Sequence, residues 1–210
     1  MEKLFCVFPA ICEADTTLPE DINDRAPLYE KHLSQPIIMT FDEFQEFSES
    51  HHLTFEILRQ CKDPDTRLRI MKYELPRVCY SSILWNQAFG INESEKLRSY
   101  NGIVALEVIK DQALEYMIFR LSSFEFVVYA SDSADGKGVV VLSQTDCHLA
   151  SMHSKYVAAL TIIFQNAGFS IRSSDARCTT TTTICYSKGA YINNAHSSFT
   201  LNPEYSNTID

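Results

Sequence analysis

Residues 126–143 read Phe-Val-Val-Tyr-Ala-Ser-Asp-Ser-Ala-Asp-Gly-Lys-Gly-Val-Val-Val-Leu-Ser. Both ends of this stretch are rich in valine, tyrosine and leucine, which favour strands. The middle contains Asp135-Gly136, a strong hairpin signal because glycine tolerates a positive φ. The pattern predicts a strand, a tight turn and a second strand. The same turn could instead offer main-chain N–H groups and Lys137 to a phosphate, and both interpretations are open from this stretch alone.

The flanking segments place the hairpin in a sheet. Residues 102–109, Gly-Ile-Val-Ala-Leu-Glu-Val-Ile, are apolar on both faces apart from Glu107, which predicts a central strand covered on both sides. Amphipathic helices are expected over 111–122 and 151–166, and the β-branched run 179–186 is expected to be a strand. This order predicts an α+β fold with a mostly antiparallel sheet and helices on one face, of the RNA-recognition-motif (RRM-like) kind.

Composition divides the chain into four parts. Residues 1–36 are acidic, polar and interrupted by prolines, which predicts an irregular arm. Residues 37–75 are expected to form a small helical lead-in that opens with a capping box at Thr40. Residues 76–200 would hold the sheet and its helices, so that 37–200 form one domain. Residues 201–210 are expected to be a polar tail.

The net charge of −9 over 210 residues is concentrated at one end. The first 50 residues contain 11 acidic and 3 basic side chains, whereas the remaining 160 contain 16 and 15. This balance disfavours strong non-specific binding of nucleic acid, because such binding depends on excess positive charge.

Seven cysteines occur, with no Cys-x-x-Cys pair among them. An odd number of cysteines in largely apolar surroundings predicts reduced, buried thiols in a cytoplasmic protein, without a zinc site. The N-terminus lacks the basic and long apolar regions of a signal peptide, and no apolar run is long enough to span a membrane. We therefore expect no membrane partner.

Four segments, in this order, resemble one family. They contain a lysine and a Leu-Pro pair before a short strand, a glycine and apolar run ending in an acid, a glycine hairpin, and a Tyr-x-Asn signature followed by Ala and Phe. In this chain the segments are Lys72–Pro76 with Val78–Ser81, Tyr100–Ile109, Ser131–Val141, and Cys185–Asn193 with Ala195 and Phe199. The resemblance, which spans roughly residues 36–200, is to the N-terminal primase-like domain of virulence-associated protein E (VirE) proteins. That family is related to the archaeo-eukaryotic primase–polymerase superfamily.

The resemblance implies a nucleotidyl-transfer fold in which carboxylates hold two divalent metal ions. The superfamily's first motif has two acids, two residues apart on one strand. The matching positions here hold Glu107 and Ile109, so only one acid is retained. Val140 matches a basic or histidine position, and Ser187 matches a later acid. The resemblance therefore implies a catalytically degenerate member.

Glu107 is thus the sole retained motif acid and the one predicted metal contact, although it could equally be a structural acid that reaches solvent or Lys110. The predicted phosphate or nucleotide contacts belong to the hairpin and to the segment after the threonine run. They are Ser133, Gly136, Lys137, Gly138 and Lys188. No cofactor is expected; Mg²⁺ or Mn²⁺ would be required only if the domain is active.

Three functional hypotheses follow. The first is a degenerate primase-like module of a mobile-element or replication-type protein, which binds single-stranded nucleic acid, a nucleotide, or a separate helicase or replication protein. The second is an active, divergent metal-dependent nucleotidyltransferase. The third is a purely structural protein-interaction domain with the acidic arm as its docking surface.

Overall fold

A computed structural model describes residues 4–10, 36–85 and 92–201 of the chain. Residues 11–35 of the predicted irregular arm therefore lie outside the described residues, and so does the predicted tail from residue 202. Within the arm, Leu4–Phe8 differs from the prediction, because it forms a largely buried strand that pairs on both sides. The described chain forms a five-stranded sheet, a four-stranded sheet and a two-stranded hairpin, and every strand pairing in them is antiparallel.

The first half of the chain contains most strands of the two smaller sheets and four helices. Its elements are β1 (Leu4–Phe8), β2 (Ile37–Thr40), α1 (Phe41–Ser50), α2 (His52–Gln60), α3 (Pro64–Arg69, extended by a π-helical turn, Ile70–Glu74), β3 (Arg77–Cys79), β4 (Ser82–Leu84), α4 (Glu93–Lys96) and β5 (Leu97–Tyr100).

The second half contains the five-stranded sheet, two helices and one strand of the four-stranded sheet. Its elements are β6 (Ile103–Ile109), α5 (Leu114–Leu121), β7 (Val127–Asp132), β8 (Gly138–Gln144), a 3₁₀ turn (Ala150–Met152) leading into α6 (His153–Asn166), β9 (Ile171–Ser174), β10 (Thr182–Thr183) and β11 (Tyr191–Ile192).

The five-stranded sheet confirms the predicted α+β class. Its strand order is β11-β7-β8-β6-β9. The succession β6-α5-β7-β8-α6-β9 with this order is a split β-α-β arrangement, because β8 lies between β6 and β7, the two strands that α5 connects. The predicted hairpin is confirmed as β7 and β8, and Gly136 in its turn has the positive φ of 73° that the Asp-Gly signal implies.

Strand β6 is central, as predicted, and it divides its side chains between two cores. Val104, Leu106 and Val108 point to the core that α5 and α6 cover, with Met117 and Leu160 among its members. Both helices thus lie on one face of the sheet, because alternate residues of a strand point to opposite faces.

The opposite face of the sheet carries the N-terminal half of the chain. Ile103 and Ala105 share a core there with Phe5 of β1, Phe44 of α1 and Phe55 of α2. The predicted lead-in is therefore integrated into the main core, where it covers the second face of the sheet. The cleft between these two layers is where the site described below lies.

The helix start expected at Thr40 is confirmed, and a second capped helix start follows at Asp63. The Thr40 side chain accepts a hydrogen bond from the Glu43 N–H while the Glu43 carboxylate accepts one from the Thr40 N–H, which is a complete capping box. Asp63 caps α3 through the Thr66 N–H, with Pro64 at the first helical position.

Two strand predictions differ from the structure. The short strand expected at Val78–Ser81 ends at Cys79 as β3, and Ser82 already begins β4 in a different sheet. The threonine run pairs only at Thr182–Thr183, because its partner β3 is three residues long and one of the neighbouring threonines, Thr181, is engaged by Arg77. Both segments have strand propensity, but the length of each strand depends on the neighbouring strand with which it can pair.

The thiols are largely as expected. Cys6, Cys79, Cys147, Cys178 and Cys185 are buried, Cys61 is half-buried, and Cys12 lies outside the described residues. Within the described ranges, no helix is both long and apolar enough to cross a membrane.

Candidate functional site

The hairpin turn uses its own main-chain N–H groups internally. Gly136 N donates to Ser133 O, Lys137 N to the Asp135 carboxylate, and Gly138 N to the Ser133 hydroxyl, at 2.9, 3.1 and 3.0 Å. A phosphate could bind here only by displacing these bonds, so the geometry does not favour the predicted phosphate cradle. The Lys137 side chain itself is exposed.

Gly138 makes room for a carboxylate. A β-carbon built on Gly138 would lie 2.7 Å from Cγ of Glu107 and closer still to its Oε1. Glu107 therefore lies directly across the start of β8, and a second anion at this point would be repelled.

Glu107 is held by residues of the edge strand β9. Arg172 Nη1 lies 2.6 Å from Glu107 Oε1, and the Ser173 hydroxyl donates to Oε2 at 3.1 Å. Arg172 also forms two hydrogen bonds to Asp135, at 2.9 and 2.7 Å. The partner of Glu107 is thus Arg172, whereas Lys110, the expected alternative, pairs with Asp132 at 2.6 Å.

These contacts set the protonation states of Asp135 and Arg172. Burial by itself would raise the pKa of Asp135, but the hydrogen bonds from Arg172, the Lys137 N–H and Ser133 outweigh it and hold that pKa well below its usual range. The hydrogen bond to Asp135 in turn raises the pKa of Arg172. Both groups are therefore charged at neutral pH.

The residues at this position do not fit the metal centre that the resemblance implies. Both oxygens of Glu107 already accept hydrogen bonds, and the second motif position holds the aliphatic Ile109. Across residues 4–10, 36–85 and 92–201, no three His, Cys, Asp or Glu side chains are grouped so that they could hold a metal ion. We therefore derive no metal-dependent step.

A larger cleft opens next to the hairpin, between α2, the start of α5 and the loop 186–189. Its volume is about 780 Å³, within the range of small-molecule sites. The cleft combines both signs of charge, and the basic and acidic side chains that line it are Arg59, Lys110, Lys188, Glu49, Glu56, Glu115 and Asp132.

Arg59 holds the walls of this cleft together. It donates to Ser133 O at 3.0 Å and to Tyr186 O at 2.6 Å, and its guanidinium lies 5.5 Å from the centre of the Phe55 ring. One helical side chain thus joins the hairpin to the loop that carries Lys188. Sequence reasoning missed Arg59, although its spacing of four from the apolar Phe55 on the buried side of α2 was a usable signal.

Lys188 is the predicted contact that the structure places in the cleft. Its side chain is exposed, and its ammonium has no carboxylate partner in the part of the chain that the structure describes. The loop is anchored by the preceding Ser187, whose hydroxyl lies 3.1 Å from that of Ser131 and 3.5 Å from Asp132 N. Ser133 is brought close to this loop through Arg59, whereas Lys137 and Gly138 are not lining residues of the cleft.

A second, water-sized cavity of about 30 Å³ lies behind Glu107, between the two larger sheets. Asp175 and Glu107 both line it. Burial raises the pKa of Asp175 to about 6, against the attraction of Arg77 and Arg177 and with the repulsion of Glu107. The main-chain oxygen of Asp175 lies 2.9 Å from Nε2 of the buried His153.

Comparison with known proteins adds no relative: no family model, no curated protein and no solved structure matches this chain.

Proposed function

We propose that this chain is a catalytically degenerate primase-like module that binds a nucleotide, or the end of a single nucleic-acid strand, in the cleft between α2 and the loop 186–189. The observation that carries the proposal is the exposed Lys188, which lines a ligand-sized cleft and has no carboxylate partner among the described residues. The four ordered segments that resemble VirE-type primase-like domains support the choice of ligand class.

The charge of the cleft favours a small anion over a long one. Lys110 is neutralised by Asp132, and Glu49, Glu56 and Glu115 also line the cleft. A long phosphate backbone would meet this acidic rim, since the net charge of the chain is −9. A single phosphate group placed at Lys188 avoids most of that repulsion.

An aromatic surface is available for the base. Tyr186 stacks on Phe55 with ring centres 6.0 Å apart and planes inclined by 23°, and its hydroxyl donates to Glu49 at 3.4 Å. Both Tyr186 and Lys188 line the main cleft and a smaller adjoining one of about 160 Å³. Stacking of a base on an aromatic ring contributes about 1–3 kcal/mol in single-strand-binding proteins.

Isothermal titration with nucleoside monophosphates and with a short oligodeoxythymidine at low salt tests the proposal. We expect Lys188→Ala to weaken binding by about tenfold, because one charge-assisted phosphate contact is lost. Lys155→Ala, on the helix that covers the opposite face of the sheet, is the matched control and should bind as the wild type does.

Lys137→Ala distinguishes the cleft from the hairpin. If Lys137→Ala weakens binding and Lys188→Ala does not, the phosphate binds at the hairpin turn instead. If neither a nucleotide nor the oligonucleotide binds to the wild type at low salt, the proposal fails.

A protein-interaction role is the second candidate, because α2 and α3 expose large apolar side chains. Leu53, Ile57 and Leu68 are 61, 59 and 64% exposed. Exposed apolar residues of this size on neighbouring helices are a feature of protein-docking surfaces. Leu53→Ser/Ile57→Ser should abolish capture of a helicase or replication partner without changing nucleotide binding.

A further inference from the structure

We propose that Arg172 is a built-in cation that takes the place of a metal ion between Glu107 and Asp135, so that the neighbouring cleft binds its ligand without a divalent metal. The first half of this inference, that Arg172 takes the place of a metal ion, rests on the contacts of Arg172 alone. The second half, that the cleft binds its ligand without a divalent metal, rests on the proposed function.

The guanidinium contacts both carboxylates at once. Nη1 is shared between Glu107 Oε1 at 2.6 Å and Asp135 Oδ1 at 2.9 Å, and Nη2 donates to Asp135 Oδ2 at 2.7 Å. This planar, two-sided contact is the geometry for which arginine is suited and lysine is not.

All four carboxylate oxygens already have a donor. Arg172 supplies three of these bonds, Ser173 donates to the remaining oxygen of Glu107, and Ser133 and the Lys137 N–H add two more to Asp135. A divalent ion needs carboxylate oxygens as ligands. It could bind between these two acids only by displacing a guanidinium and by tolerating its positive charge nearby.

A β-bulge aims Arg172 at this position. In the pairing of β6 with β9, Glu107 lies opposite Ser173 and Val108 lies opposite Ile171. Arg172 is therefore the extra residue of the bulge, which has no residue of β6 opposite it. A bulge of this kind redirects a side chain that regular alternation would send to the other face. The bulge therefore brings Arg172 and Ser173 to the same carboxylate.

Titration with Mn²⁺, followed by its electron paramagnetic resonance signal, tests the first half. We expect Mn²⁺ binding to the wild type to be unchanged by Glu107→Gln, because Glu107 is already neutralised. Arg172→Ala removes the guanidinium charge and frees one oxygen of each carboxylate, Glu107 Oε1 and Asp135 Oδ2. This variant should bind Mn²⁺ at least about tenfold more tightly than the wild type. Adding Glu107→Gln to Arg172→Ala should remove that gain, and Arg98→Ala, an arginine of the two-stranded hairpin, should show none.

Two results would overturn the assignment of Arg172. One is Mn²⁺ binding to the wild type that Glu107→Gln abolishes, which means that a metal displaces the guanidinium. The other is folded Arg172→Ala, checked by circular dichroism, that binds Mn²⁺ no better than the wild type. If Arg172→Ala does not fold, the comparison of wild type with Glu107→Gln still decides between these outcomes.

Binding of a nucleoside monophosphate to the wild type, in EDTA and in excess Mg²⁺, tests the second half. We expect the two affinities to agree within about twofold. Binding that appears only with Mg²⁺ overturns the inference but supports the proposed function. Absence of binding in both conditions contradicts the proposed function and therefore also the metal-independent binding inferred here. The Mn²⁺ titration still tests separately whether Arg172 takes the place of a metal ion.

Discussion

Gly138 shows how one missing side chain supports an ion-pair network. The Glu107 side chain occupies the space that a β-carbon of residue 138 would take, and from there it reaches Arg172. The glycine that looked like part of a phosphate loop is therefore required for packing against a carboxylate.

Gly138→Ala should destabilise the protein by about 1–3 kcal/mol, because the added methyl forces Glu107 out of its place and breaks its contact with Arg172. Urea unfolding measures the change in the free energy of unfolding. Gly189→Ala is the matched control, since a β-carbon there meets no atom within 4 Å.

The cause can be isolated in a double-mutant cycle. In a Glu107→Ala background the clash is gone, and Gly138→Ala should then have almost no further effect. If Gly138→Ala lowers the free energy of unfolding equally in both backgrounds, the destabilisation arises in the β8 backbone and not from a clash with Glu107.

Asp135 and Asp175 make the stability of the protein depend on pH in opposite directions. Burial raises the pKa of Asp175 from 3.8 to about 6, so the folded protein holds this proton more firmly than the unfolded chain does. Stability from this group is complete below pH 3.8 and is lost as the pH rises through about 6. The pKa of Asp135 is lowered, so its stability is present above 3.8 and is lost as the pH falls.

Asp175→Asn should therefore increase the free energy of unfolding at neutral pH, by at most about 3 kcal/mol, and should have little effect near pH 4. Asp135→Asn should decrease stability at neutral pH and approach the wild type in acid. Urea unfolding between pH 4 and 8 measures both, and slopes of the same sign for the two variants would contradict the assignment.

At the scale of secondary-structure elements, α2 is joined to the site by Arg59. Its guanidinium bonds to carbonyls 74 and 127 residues away in the chain, Ser133 O and Tyr186 O. The orphaned carbonyl of Tyr186 would be costly to leave without a donor.

Arg59→Met, which keeps the apolar stem, should reduce the free energy of unfolding by about 2–3 kcal/mol, because hydrogen bonds from a charged donor are lost. It should also speed amide hydrogen exchange over residues 184–192. Arg69→Met is the control: it removes only an exposed 3.2 Å ion pair with Glu74, which contributes at most about 1 kcal/mol. Equal effects of the two variants would mean that Arg59 does not hold the loop.

At the scale of the whole molecule, three buried clusters enclose most thiols. Cys185 and Cys147 lie in the cores on the two faces of the five-stranded sheet, and Cys6 and Cys79 lie in a smaller cluster with Phe8. Burial raises the pKa of Cys6 and of Cys185 to about 11, and it raises that of Cys79 further. A thiol that is both buried and protonated reacts slowly, because the thiolate is the nucleophile.

In a Cys12→Ser variant, an aromatic disulfide reagent at pH 8 should label one thiol rapidly in the native protein, the half-buried Cys61. The other five should react only after denaturation in urea. Absorbance of the released thiolate counts them, and rapid release of more than one equivalent would contradict the burial of these five thiols.

Local chemistry made much of this fold predictable from sequence. The Asp-Gly turn, the capping box at Thr40 and the two-sided apolar strand at Glu107 each depend on neighbours within a few residues. The order of strands and helices was therefore readable, and with it the α+β class. The strand predicted over the threonine run was too long, because strand propensity does not specify which strand a segment pairs with.

The candidate site depended on contacts that no local pattern contains. Arg172 meets Glu107 across 65 residues, through a bulge that displaces the register of β9 by one residue. By itself, the sequence determined which segments become strands, helices and turns, since those depend on propensity and periodicity. Only the tertiary structure decided which charges meet, because sheet register and the packing of α2 set the directions in which Glu107, Arg172 and Arg59 point.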